Sequence, residues 1–199
     1  MQATIDITPQ TINYKAVATP PGGLLIWILI LLEVFTFGLS LVGLVYYRVQ
    51  EPELFAKSSA LLNTTLGGIN TMVLLTSGFF MASAVYYFKR NHIQGGINYM
   101  LATMLTGTAF IVIKWFEYAD KISLGIGLDE NMFFTFYWLL TGFHLIHVIV
   151  GLVILGILLV PVLRNRNQVA IEDIEAGAAF WHMCDLIWLL LFPALYLVF

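Results

Sequence analysis

Apolar residues run along this chain in long unbroken blocks, not in alternation. Crossing the hydrocarbon of a bilayer takes about 20 mostly apolar residues. Five blocks reach that length: roughly Gly22–Tyr47, Leu62–Phe88, Ile97–Tyr118, Phe133–Leu163 and Ala178–Phe199. The period-two pattern of a transmembrane barrel is absent, so helices are the spanning elements. The reading is an all-α membrane protein: a five-transmembrane-helix bundle over residues 22–199, preceded by a polar segment, residues 1–21, that contains Pro9, Pro20 and Pro21. A secretory signal would place an apolar run of about 7–15 residues near the start. Here the first block begins after residue 21 and is much longer, which predicts a retained first helix. The longest connection, Arg164–Gly177, reads as a polar turn.

Composition strengthens this picture. Of 199 residues, 60% are hydrophobic and only 11% charged, against about 25% charged in a soluble domain. The formal net charge of −3 comes with no basic run, which argues against nucleic acid as a partner. A single cysteine, Cys184, excludes an internal disulfide framework and a multi-thiolate metal site. Basic residues near the helix ends set orientation. Lys15, Lys89, Arg90, Arg164 and Arg166 fall on the N-terminal side, and Arg48, Lys57 and Lys121 on the other. The excess predicts N-in/C-out.

Ionisable side chains at membrane depth cost about 2.5–3.5 kcal/mol or more each, so each calls for a reason. They are Glu33, Glu117, His144, His147, His182 and Asp185, with Lys114 beside Glu117 in the last turns of the third block. Glu33 stands alone in apolar sequence, where desolvation favours a neutral carboxyl. It either faces a partner subunit or lipid head as a protonatable group, or bonds to a neighbouring helix. His144 and His147 share a helix face, as do His182 and Asp185. Histidines so spaced could ligate haem or a metal. However, only His182 could oppose the 144/147 pair, and no Glu-x-x-His di-iron motif occurs. Interhelical hydrogen bonding is the favoured reading, with a proton relay as the alternative. The second block carries Asn63, Thr64, Gly67, Gly68, Asn70, Thr71, Ser77 and Gly78, suited to close helix packing or, less readily, to a substrate tunnel.

Six segments carry a resemblance. Thr141-Gly142-Phe143-His144-Leu145-Ile146-His147-Val148-Ile149-Val150-Gly151 resembles the TGFHxxHVxxG signature of subunit III of haem-copper oxidases. Glu175 through Trp188, which includes Trp181, His182 and Asp185, is similar to that family's EAxxxxWHxxDxxW signature. Leu61-Leu62-Asn63-Thr64, Leu75-Thr76-Ser77-Gly78 and Glu117-Tyr118 follow the family's order, and Leu32-Glu33-Val34-Phe35 resembles its membrane-carboxylate motif. Together the matches cover residues 32–199.

The resemblance implies a short five-helix bacterial or archaeal form, multi-pass in the cytoplasmic membrane. It implies an accessory subunit with no catalytic centre of its own in a cytochrome c oxidase-type complex of aerobic electron transport. Haem and copper would lie in partner subunits, with none in this chain. The partners implied are oxidase subunit I, subunit II within the complex, membrane phospholipid and, further out, a respiratory supercomplex. The chain would support proton uptake, stability and oxygen access of subunit I. Glu33 would be the family's carbodiimide-reactive carboxylate. Asn63, Glu117, His144, His147, Glu175, Trp181, His182, Asp185 and Trp188 would be signature positions acting mainly in interhelical bonding. Pro193 departs from the mitochondrial-type pattern and resembles a variant found with nitric oxide reductases. The equivalent subunit of a nitric oxide reductase or a quinol oxidase is therefore the alternative. An autonomous proton or solute transporter is the rival from another class, although no matching pair of broken helices marks a substrate site.

Overall fold

A computed structural model describes residues 22–164 and 170–197. The segment 1–21, and with it Lys15 and the prolines at 9, 20 and 21, lies outside the described residues, as does Arg166. Five long helices cross the apolar layer: α1 (Leu24–Gln50), α3 (Thr64–Lys89), α4 (Ile93–Ser123), α5 (Met132–Arg164) and α6 (Ile171–Tyr196). A short sixth helix, α2 (Pro52–Ser59), joins α1 to α3. These spans are the five that the apolar blocks predict.

Local chemistry sets their ends. The Asn63 side chain accepts the Leu66 N–H at 2.9 Å and so caps α3. The α3–α4 hairpin turns at Asn91, whose φ of 57° is left-handed and which, among non-glycine residues, asparagine tolerates well. The α4 terminus closes on Gly125 at φ 75°, with the Ile126 N–H donating to the Lys121 carbonyl at 3.0 Å. Asn131 Oδ1 accepts the Phe134 N–H at 3.1 Å at the start of α5.

One sequence reading is corrected and one element is added. The 48–61 connection carries a helix: Pro52 opens α2, and Phe55 is buried against Phe133 with ring centroids 5.6 Å apart. The connection to the last span is shorter than expected. α6 begins at Ile171, because Glu172 and Asp173 suit a helix N-terminus, where negative charge meets the positive end of the helix dipole.

Lipid tails are as apolar as leucine, so the bundle is held by fit and hydrogen bonds more than by water exclusion. α6 is the hub, packing on α1, α3 and α5, while α3 and α4 form the most extensive pair. Small residues permit this. A Cβ at Gly107 would come within 2.5 Å of the Trp181 ring, and one at Gly151 within 3.0 Å of it. Gly67 lies under Phe192 and Tyr196, and Gly78 under Asp185. The Ser77 hydroxyl donates to the Thr103 carbonyl at 2.9 Å across the α3–α4 interface. By contrast, α1 buries only Phe37 and Leu44. Pro161 and Pro193 sit inside α5 and α6 without ending them.

Candidate functional site

The polar side chains inside the bundle fall into separate layers. One sits towards the α2 end. Lys114 is fully buried on α4, and its ammonium donates to Glu117 Oε2 and to the Tyr196 hydroxyl, each at 3.1 Å. Glu117 Oε1 accepts from Tyr137 at 2.8 Å and from Tyr196. The ammonium also lies 4.7 Å from the Tyr118 ring centre and 5.4 Å from that of Trp188, within cation–π range. Tyr118 donates to Thr141 at 2.8 Å. A buried ion pair is tolerable only when the remaining protons and lone pairs find partners, and this one is supplied by α4, α5 and α6 together. The sequence places Glu117 among the interhelical residues but does not give Lys114, Tyr137 and Tyr196 as its partners. The Lys114/Glu117 spacing of three is the available signal.

The next layer is aromatic. His144 is fully buried between Phe37 of α1, Phe110 of α4 and Trp188 of α6, stacked on Trp188 with centroids 5.3 Å apart. Neither ring nitrogen has a hydrogen-bond partner among the described residues. The expected interhelical hydrogen bond is therefore replaced by ring packing, since three aromatic rings occupy the space a polar partner would need. Trp188 makes the bond instead, donating to Thr71 of α3 at 2.9 Å. Trp181 is buried against Gly107 and Gly151 with its indole N–H unpaired among the described residues. Asn63 is likewise corrected: its oxygen serves its own helix as a cap.

Glu33 and His147 meet across the α1–α5 interface. His147 Nε2 lies 3.3 Å from Glu33 Oε2, with side chains 12% and 14% exposed. His147 Nδ1 is 2.8 Å from the Phe143 carbonyl, which can only accept, so Nδ1 carries a proton. Of the two readings of Glu33, the geometry places it against a neighbouring helix within the chain.

On α6, His182 Nδ1 lies 3.3 Å from Asp185 Oδ2, and the histidine side chain is 44% exposed. At the N-terminal end of the bundle, Glu175 of α6 pairs with Lys89 of α3. The geometry thus gives a closed charged layer, a carboxyl–imidazole contact between α1 and α5, and a half-open imidazole–carboxylate pair, each in its own place. Among the described residues, no group of three His, Cys, Asp or Glu is arranged to hold a metal.

Residues 57–198 match the family model described as Cytochrome c oxidase subunit III. The chain is similar to a protein of Aeropyrum pernix named Heme-copper oxidase subunit I+III, at 28% identity over 86% of this chain and 22% of that one. It is 31% identical to the Cytochrome c oxidase subunit 3 of Thermostichus vulcanus, over 65% of this chain and 64% of the relative. It is 28% identical to the Quinol oxidase subunit 3 of Bacillus subtilis, over 73% and 78%. The chain spans less than two thirds of the length of the first two.

Proposed function

The chain belongs to the cytochrome c oxidase subunit III family, and from that premise we propose that it is the accessory subunit III of a haem-copper terminal oxidase in aerobic electron transport. In this reading it packs on catalytic subunit I, with subunit II in the same complex, in a prokaryotic cytoplasmic membrane with its N-terminus inside. Haem and copper belong to the partner subunits, and phospholipid fills the rest of its surface. It supports proton uptake, stability and oxygen access of subunit I.

The observation that carries this reading is the family match across residues 57–198, a region that includes four of the five spans. A relative whose name joins subunits I and III supports the choice of partner. The Glu33–His147 pair supports the proton-linked role: a carboxyl and an imidazole stand 3.3 Å apart at membrane depth. The nearly uncovered α1 supplies an apolar face for a neighbouring subunit or lipid.

A second reading rests on the names of the relatives. The chain is similar to a quinol oxidase subunit 3 at 28% identity as well as to a cytochrome c oxidase subunit 3 at 31%. The electron donor of the complex would then be a quinol. Oxygen uptake by the complex, driven by reduced cytochrome c or by quinol and repeated with nitric oxide as acceptor, separates the readings. Selective removal of the chain should leave initial oxygen uptake measurable and shorten its persistence during turnover. Unchanged persistence and unchanged proton uptake would contradict the accessory role.

A further inference from the structure

An apolar groove of about 600 Å³ opens between α1, α3 and α6, walled in part by Trp27, Ile30, Ala82, Ala179, His182 and Met183. That volume lies within the range of small-molecule sites, about 300–1,000 Å³. Lys89, the last residue of α3, and Glu175, in the second turn of α6, form an ion pair that also lines the groove. His182 is seven residues further along α6, about 10 Å deeper at 1.5 Å per residue. Its Nδ1 faces Asp185, which leaves Nε2 as the ring's second hydrogen-bonding atom. An ionisable side chain this deep on a groove wall is expensive even when one of its atoms is paired, so it marks a functional site.

We propose that this groove binds a lipid-soluble quinone, with an oxygen of the head ring hydrogen-bonded to His182 and the isoprenoid tail lying along the groove. Three features select this class. Lys89 is already neutralised by Glu175, so the mouth of the groove complements an uncharged ligand and not an anionic headgroup. The hydrogen-bonding atom lies two helical turns below that mouth, where a phospholipid presents acyl carbons with nothing to bond. The walls offer the indole of Trp27 as an aromatic surface for a planar ring, while Ala82 and Ala179 leave room for it.

The His182–Asp185 pair suits both states of such a ring. With the proton on Nδ1, Nε2 accepts from a quinol hydroxyl; with Nε2 protonated and Asp185 carrying the proton that faces Nδ1, the imidazole donates to a quinone carbonyl. Only binding is assigned, with no electron transfer through this chain. The inference rests on the membrane-spanning helices and is independent of which oxidase the chain serves.

The test is photolabelling of the complex that contains the chain, in phosphatidylcholine nanodiscs, with an azido-ubiquinone. Label is expected on peptides of this chain carrying Trp27 or residues 178–186, reduced about tenfold by excess decylubiquinone. Ala82→Trp, which fills the groove, should lower it to a similar extent. His182→Leu should lower it roughly fivefold to tenfold, the loss of one hydrogen bond, and His182→Gln should restore part of it. Gel mobility of each variant complex reports assembly, and Ala179→Leu replaces Ala82→Trp if the latter fails to assemble. Label absent from these peptides, label displaced by phosphatidylglycerol and not by decylubiquinone, or label indifferent to the groove-filling variant would overturn the proposal. Any of these results leaves co-purification of the chain with an oxidase, and so the accessory role, as a separate question.

Discussion

Glu33 Oε2 and His147 Nε2 stand 3.3 Å apart across the α1–α5 interface, and the far nitrogen of the imidazole is fixed by the Phe143 carbonyl. That carbonyl decides the chemistry of the contact. With Nδ1 protonated, a neutral His147 presents a bare Nε2 to the carboxyl. The contact thus sets a base beside a carboxyl at membrane depth. It also ties α1, which buries only two residues, to the rest of the bundle.

Carbodiimide, which reacts with protonated carboxyls in apolar surroundings, should therefore label this chain at Glu33. Glu33→Gln should abolish that label. His147→Phe should increase it, since the carboxyl loses the base 3.3 Å away. Mapping of the labelled peptide checks both outcomes, and equal labelling with and without His147 would show that the imidazole does not act on the carboxyl.

Lys114 and Glu117 should behave as a unit. Lys114→Met strands a buried carboxylate among Tyr137 and Tyr196, and breaking a buried pair this way costs about 3–5 kcal/mol. The double change Lys114→Met with Glu117→Gln removes both charges and should recover most of that loss. Thermal stability of the purified complex, taken as a double-mutant cycle, reads the coupling.

Gly107 and Gly142 offer a matched pair. A Cβ at Gly107 meets Trp181, while one at Gly142 meets nothing within 4 Å. Gly107→Val should reduce assembled complex severely, because its side chain would need the space of the Trp181 ring and of Leu152. Gly142→Ala should leave the yield unchanged. Quantitation of this chain in isolated membranes distinguishes the two.

Asn63 tests the corrected assignment of a cap. Asn63→Ala should cost about 1 kcal/mol, while Asn63→Asp and Asn63→Ser should be nearly neutral, since each keeps an acceptor for the Leu66 N–H. A partner on another helix would instead discriminate sharply among the three.

The five spans were legible in sequence because each block is longer than the bilayer demands and nothing else can cross as a single strand. α2 was not legible: eight residues, two of them charged, give too short a pattern to separate from a loop. The start of α6 was hidden because Glu172, Asp173 and Glu175 read as loop polarity, although acidic residues belong in a helix's first turns. The charged layer was half legible. Lys114 and Glu117 sit near the end of their apolar block, which suggests an interfacial pair, but α4 continues to Ser123 and carries both inside. Their partners Tyr137 and Tyr196 lie 20 and 79 residues from Glu117, a proximity that only the packed bundle reveals. His144 shows the converse: its position within a signature suggests a bonding role, yet three rings from three other helices enclose it.

The central claim is that this bundle serves chemistry carried out in a neighbouring subunit. The most direct measurement is a mild-detergent purification through a tag on this chain, followed by a reduced-minus-oxidised haem spectrum and identification of the co-purifying subunits. The expected result is a haem-copper subunit I in stoichiometric amount, with haem bands in the complex and none in the chain once separated. Purification of the chain without any haem-copper subunit, or a haem band that stays with the separated chain, would contradict it.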